Sequence, residues 1–180
     1  MLQTYAALLR GINVGGKNKM PMTDLITLCT EAGGVAVQTY IQSGNVVFQA
    51  DAEAAAELPA KLTALIAERF CYRVPVVLRS ASQLEAAVYD NPFLEQNVPE
   101  ETLHVMFLAA LPSAEQVASL DPDRSAPDAF AVRHSEIYLH LPNGVKDTKL
   151  TNAYFDAKLA TVSTSRNWKT VTALLGLMSR

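Results

Sequence analysis

The apolar positions of the first half fall into short runs and helical stripes, and this pattern predicts its elements. An apolar run at Thr4–Arg10 ends in glycine and predicts a buried strand. A helical stripe follows Pro21 and ends at Gly33-Gly34. Residues 35–50 then form two β-rich runs about Ser43-Gly44-Asn45, a pattern typical of a hairpin.

The next segments complete a six-element order in the first half. Residues 51–70 predict a long helix with Asp51 near its N-cap, in which Pro59 predicts a kink or a late start. Residues 72–80 predict a strand. The order strand, helix, strand, strand, helix, strand is that of a ferredoxin-like unit, and we expect this unit to span residues 1–80.

The second half, residues 81–180, repeats much of this order. A helix capped by Ser82, with Glu85 three residues later, precedes a strand at 103–111 and a helix capped by Ser113. Two strands then flank a turn at His134-Ser135, and two helices follow. The pattern therefore predicts an α+β protein with two ferredoxin-like (βαββαβ-type) halves, the second with its last strand replaced by a helix.

Composition narrows the class of protein. With 180 residues, 49% of them hydrophobic, the chain can bury the core of one domain or of two small ones. Its apolar runs stay far short of the roughly 18 residues of a membrane helix, and its N-terminus lacks the pattern of a signal peptide. Cys29 and Cys71 have no Cys or His partner at ligand spacing. We expect a cytoplasmic protein with reduced thiols, no metal, no cofactor and no membrane partner.

Charge is distributed unevenly along the chain. The formal net charge is −3, so the molecule as a whole does not attract polyanions electrostatically. We therefore do not expect nucleic acid as a partner. The first twenty residues contain three bases and no acid, and residues 158–180 contain four bases and no acid. Residues 81–136 hold ten acids and two arginines. Both ends are therefore basic, and the middle is acidic.

The segment RGINVGGKNKMPM, residues 10–22, has the Gly-x₄-Gly-Lys spacing of a nucleotide-binding P-loop. Asn18 stands where the P-loop needs a serine or threonine, and Pro21 prevents a helix from starting at Lys17. These departures exclude a P-loop NTPase. What remains is a glycine loop with three basic residues, in which backbone amides and side chains could hold an anion.

The segment TSRNWK near the C-terminus is the second candidate for anion binding. Its Arg166 and Asn167 lie at the predicted N-terminus of the last helix, where free amides favour an anion. If both segments meet, they predict a site for an anionic, phosphate-bearing small ligand. Its residues would be Arg10, Asn13, Gly15, Gly16, Lys17, Asn45, Arg166 and Asn167. The alternative is a solvated basic loop whose glycines only form a sharp turn.

Four blocks of the sequence carry a resemblance to a known family. They are ALLRGINVGGKNKMPM, TYIQSGNVVF, TKLTNAYFDAKL and TSRNWKTV. In these blocks the chain resembles the bacterial family known as domain of unknown function 1697. The resemblance implies an α+β protein with ferredoxin-like subdomains and supplies no catalytic residues.

Two other classes of function stay open at this point. An enzyme acting on a phosphorylated metabolite or a nucleic-acid end would need an acid or base near the loop, and Asp24, Tyr40 and Asp147 are the candidates. A protein–protein interaction module would instead present an exposed sheet face or edge. The sequence leaves the oligomeric state open.

Overall fold

The structure, a computed structural model, describes residues 1–179. The first half contains β1 (Gln3–Leu9), α1 (Met22–Glu31), β2 (Val35–Tyr40), β3 (Asn45–Ala50), α2 (Ala52–Phe70) and β4 (Val76–Ser80). The second contains α3 (Ala81–Tyr89), β5 (Leu103–Leu108), α4 (Ala114–Ala118), β6 (Ala129–Arg133), β7 (Glu136–His140), α5 (Asn152–Leu159), β8 (Ser163–Asn167) and α6 (Trp168–Met178). Two 3-10 turns, Leu94–Gln96 and Glu100–Thr102, lie between α3 and β5.

These elements form two four-stranded antiparallel sheets. The strand order is β2-β3-β1-β4 in the first sheet and β6-β7-β5-β8 in the second. The predicted α+β class is confirmed, and the order of strands and helices in the first half is the predicted one. The ferredoxin-like assignment remains an interpretation of that order.

The predicted end of the second half is wrong, because a fourth strand is present. β8 pairs antiparallel with β5, and α6 follows it as an additional helix. The polar sequence STSRN gave no apolar run to mark a strand. Its buried Ser163 is instead satisfied by α5, since Asn152 Nδ2 donates to Ser163 Oγ at 2.8 Å and Ser163 Oγ donates to Asp156 Oδ1 at 2.6 Å.

Helix starts follow local capping chemistry. Asp51 caps α2, which continues through Pro59, and Ser113 and Gln116 form the predicted capping box of α4. The predicted cap of α3 is displaced by two residues. Gln83 Oε1 accepts from the amide of Ser80 and Ser80 Oγ accepts from the amide of Gln83, so the box uses this pair instead of Ser82 and Glu85.

Contacts divide the described chain into two compact units. One unit contains Met1–Glu85 together with the chain from Leu174 onward, and the other contains Ala86–Ala173. In the first unit, apolar residues of α1 and α2 pack on alternate residues of β1 and β3, among them Leu25, Leu28, Leu58, Leu62, Ile66, Leu9 and Phe48. Burial of this face orients the sheet and fixes its register.

The second unit has a separate core. Phe155 and Leu159 of α5 pack against β5 and β7 residues such as Met106 and Leu139. The rings of Phe130 and Phe155 pack edge to face at a centroid distance of 5.4 Å. Within residues 1–179, no helix is both long and apolar enough to cross a membrane.

Candidate functional site

The glycine loop, residues 10–21, is a small hairpin of its own between β1 and α1. The amide of Lys17 donates to the carbonyl of Val14 at 3.0 Å, and these two residues form an isolated antiparallel bridge. Gly15 and Gly16, between them, have φ of 57° and 74°. Positive φ at both central positions is the geometry of a type I′ turn, which explains why glycine occupies both.

Asn13 fixes this hairpin to its surroundings. Its side-chain Nδ2 donates to the carbonyls of Met20 and Gln42, each at 2.9 Å. Its Oδ1 accepts from the amide of Met20 at 2.8 Å. Each polar atom of the Asn13 side chain is therefore bonded to the backbone, so this residue shapes the loop and holds it against the turn that contains Gln42.

Buried anchors hold the base of the loop, and its tip is open to solvent. Ile12 and Met20 lie in the first core, whereas Gly15, Gly16 and Lys17 are exposed. Asn18 Nδ2 donates to the carbonyl of Gly11 at 3.0 Å. The tip is thus an ordered, exposed element.

The turn between β2 and β3, residues 41–44, packs directly against the loop. The amide of Leu9 donates to the carbonyl of Gly44 at 2.8 Å. A Cβ at Gly44 would lie 2.8 Å from the Cβ of Leu9 and 3.0 Å from Cγ1 of Ile12. In addition, φ at Gly44 is 77°, a conformation that glycine adopts without strain. For both reasons, only glycine fits at this position.

Asn45, at the start of β3, is fully buried behind that turn. Its Nδ2 donates to Ser43 Oγ at 2.9 Å and to the carbonyl of Tyr40 at 3.2 Å. The structure therefore brings six of the predicted site residues to one end of the first sheet: Arg10, Asn13, Gly15, Gly16, Lys17 and Asn45. Of these, Asn13 stabilises the glycine loop through its side-chain hydrogen bonds, and Asn45 stabilises the turn at residues 41–44 in the same way.

Three basic residues lie at this end of the sheet. Lys17 and Lys19 are exposed, and Arg10 is half-buried with its amide donating to the carbonyl of Pro75 at 3.0 Å. The hydroxyl of Tyr72 donates to the carbonyl of Lys19, a contact that sequence reasoning missed because it joins residues far apart in the chain. The amide of Lys17 closes the turn, so this amide is not a donor for an anion.

Arg166 and Asn167 belong to the second unit and lie on β8, not on the last helix. Arg166 is buried, and its guanidinium donates to Thr164 Oγ1 at 2.8 Å and to the carbonyl of Ser165 at 2.7 Å. Burial lowers its pKa to about 10, so it is still protonated at neutral pH. Asn167 Oδ1 accepts from the amide of Thr170 at 2.8 Å at the start of α6. Both residues have structural bonds within their own unit.

Comparison with known proteins places the chain in a family. The model of a family described as protein of unknown function (DUF1697) matches residues 2–138, and the chain belongs to this family. The structure is similar to that of the conserved bacterial protein SP0830 from Streptococcus pneumoniae. The TM-score is 0.72 at 25% sequence identity, over 99% of each chain. A search of curated proteins finds no match.

Proposed function

We propose that this DUF1697 protein binds an anionic, phosphate-bearing small ligand at the glycine loop. The observation that carries the proposal is the ordered hairpin, whose exposed Lys17 is held in place by the turn at Gly15-Gly16 and by the bonds of Asn13. Such a tip presents a cation without a large loss of backbone freedom on binding, which favours affinity.

The proposed contacts come from side chains around the tip. Lys17 and Lys19 approach the anion from solvent, and Arg10 adds charge at the base of the loop. The sequence from Met1 to Thr23 contains no acidic residue. Arg166 and Asn167 are left out of the proposed contacts, because their side chains are used by β8 and by the cap of α6.

The proposed compartment is the cytoplasm. Both cysteines are free thiols, and burial raises the pKa of Cys29 to about 12, which keeps it protonated. Cys71 is exposed, so a reducing environment would preserve it.

Thermal unfolding with inorganic phosphate, a sugar phosphate and a nucleoside monophosphate tests the binding. A ligand at 100 times its dissociation constant stabilises the folded state by about 2.7 kcal/mol. We expect one of the three anions to raise Tm in the wild type and Lys17→Ala to remove the effect.

Lys61→Ala is the matched control, since Lys61 is an exposed lysine of the same unit that pairs with Glu57 on α2. It should keep the full response. An equal rise of Tm in both lysine variants, or no rise with any of the three anions, would contradict the proposed function.

A further inference from the structure

Two exposed aliphatic residues lie on the glycine loop and on the turn that is hydrogen-bonded to it. Val14 is 61% exposed and Ile41, in the adjoining turn, is 52% exposed. Val14 lies directly opposite Lys17 in the antiparallel bridge, so the two side chains leave the same face of the hairpin. The bond from Asn13 to the carbonyl of Gln42 ties the turn that contains Ile41 to this hairpin.

The backbone of Ile41 makes its presence there unfavourable. Its φ is 49°, in the left-handed region that β-branched residues rarely adopt. Single exposed aliphatic residues are common on protein surfaces and need no explanation. Ile41, however, combines exposure with a strained backbone, where asparagine or glycine would fit without strain. Strain of this kind persists only where surrounding contacts hold the backbone, and it clusters at ligand-binding and active sites.

We propose that the ligand of the glycine loop is an amphiphilic anion, a phosphate that carries an aliphatic chain. This inference rests on the proposed function and names the class of its ligand. The ammonium of Lys17 contacts the phosphate, and Val14 and Ile41 contact the chain.

Isothermal titration with methyl, butyl and hexyl phosphate, each below its micelle concentration, tests the proposal. A methylene group that becomes fully covered contributes up to about fourfold in affinity, and partial cover contributes less. We expect hexyl phosphate to bind at least about tenfold more tightly than methyl phosphate. Lys17→Ala should weaken binding of all three.

Ile41→Asn separates the ligand contact from folding. Because asparagine tolerates positive φ, this variant should unfold at the same or a higher temperature and yet lose most of the gain from the longer chain. Val14→Thr, which keeps the shape of the side chain, should lose part of the gain. Val35→Thr removes an aliphatic residue of similar exposure, 51%, and should keep all of it.

The outcomes separate this inference from the proposed function. Equal affinity for methyl and hexyl phosphate would overturn the amphiphilic ligand and leave anion binding intact. A chain-length gain that Ile41→Asn and Val14→Thr both retain would also overturn it. Failure of all three alkyl phosphates to bind would overturn the amphiphilic ligand, and the proposed function would then be decided by the thermal unfolding experiment with inorganic phosphate, the sugar phosphate and the nucleoside monophosphate.

Discussion

The two sheets make the same connection, from an inner strand to the helix that follows it, in very different ways. The first unit uses twelve residues between β1 and α1, and the second uses five, 109–113, between β5 and α4. The longer connection contains three glycines and three bases, whereas the shorter one, AALPS, contains neither glycine nor charge. Since five residues suffice for the connection, chain topology does not explain the length of the glycine loop.

The comparison is between like positions, because five residues of β4 pair with β1 as five residues of β8 pair with β5, and a helix directly follows each of these two edge strands. Arg79 on β4 pairs with Ala6, and Arg166 on β8 pairs with Val105 at the same place in the other sheet. Both arginines are buried, and each donates to the carbonyl of the residue before it. The next residue in each strand, Ser80 or Asn167, caps the helix that follows. The fold repeats these features, and it does not repeat the glycine loop.

Substitution of Gly44 should have the largest effect on stability. In Gly44→Ala the new methyl group would overlap Leu9 and Ile12 while the backbone keeps its positive φ. Overpacking and strain together should lower the free energy of unfolding by about 3 kcal/mol, as measured in urea.

Gly144→Ala in the second unit is the matched control. Gly144 has nearly the same φ, 78°, with no atom within 4 Å of an added Cβ, so it should lose only about 1 kcal/mol. Equal losses in the two variants would mean that the turn at residues 41–44 is not packed against the glycine loop.

Removal of the Asn13 side chain should have the next largest effect. Asn13→Ala loses three hydrogen bonds and places alanine at a φ of 54°, so the free energy of unfolding should fall by about 2 kcal/mol. Chemical denaturation measures this change. Asn13→Gly relieves the backbone and loses the same bonds, so it isolates their contribution. If the glycine variant is as stable as the wild type, the bonds do not hold the loop.

The sequence predicted the structure correctly where a short local pattern determines which element forms. Hydrophobic periodicity predicted the helices that form the first core, and Pro21 correctly predicted that α1 begins beyond Lys17. The capping box at Ser113 and Gln116 depends on residues three apart, which a sequence pattern can detect. The α+β class follows from such local signals.

The sequence was least informative where contacts between residues far apart in the chain determine the structure or the role of a side chain. β8 is a strand because β5 and α5 satisfy its polar residues, and no local pattern marks it. Asn13 and Asn45 were predicted as ligand contacts, but their side chains bond to the backbone and to Ser43. An asparagine in a glycine-rich loop suits either role, so only the structure shows those bonds. Whether the loop binds an anion remains a prediction.

The smallest expected effect is on the pH dependence of stability. It arises from His104 on β5, which occupies the position that corresponds to Tyr5 on β1. Tyr5 pairs with Ser80 in the first sheet, and His104 pairs with Asn167 in the second. The ring of Tyr5 stacks on Phe48, and its hydroxyl donates to Gln3. Within residues 1–179, by contrast, the buried Nδ1 of His104 has no hydrogen-bond partner. Burial lowers the pKa of His104 below its usual 6.5, and the nearby backbone of Thr102 partly offsets this shift.

The sign of the pH dependence follows from that shift. Between the lowered pKa of the folded state and about 6.5, the unfolded chain binds more protons at this position than the folded protein does. Stability should therefore fall as pH decreases through this window and change no further from this source below it. His104→Gln should flatten the profile of unfolding free energy against pH in this window. An NMR titration that gives His104 its usual pKa of about 6.5 would show that its ring is accessible to water, and its likeness to the buried position of Tyr5 would fail.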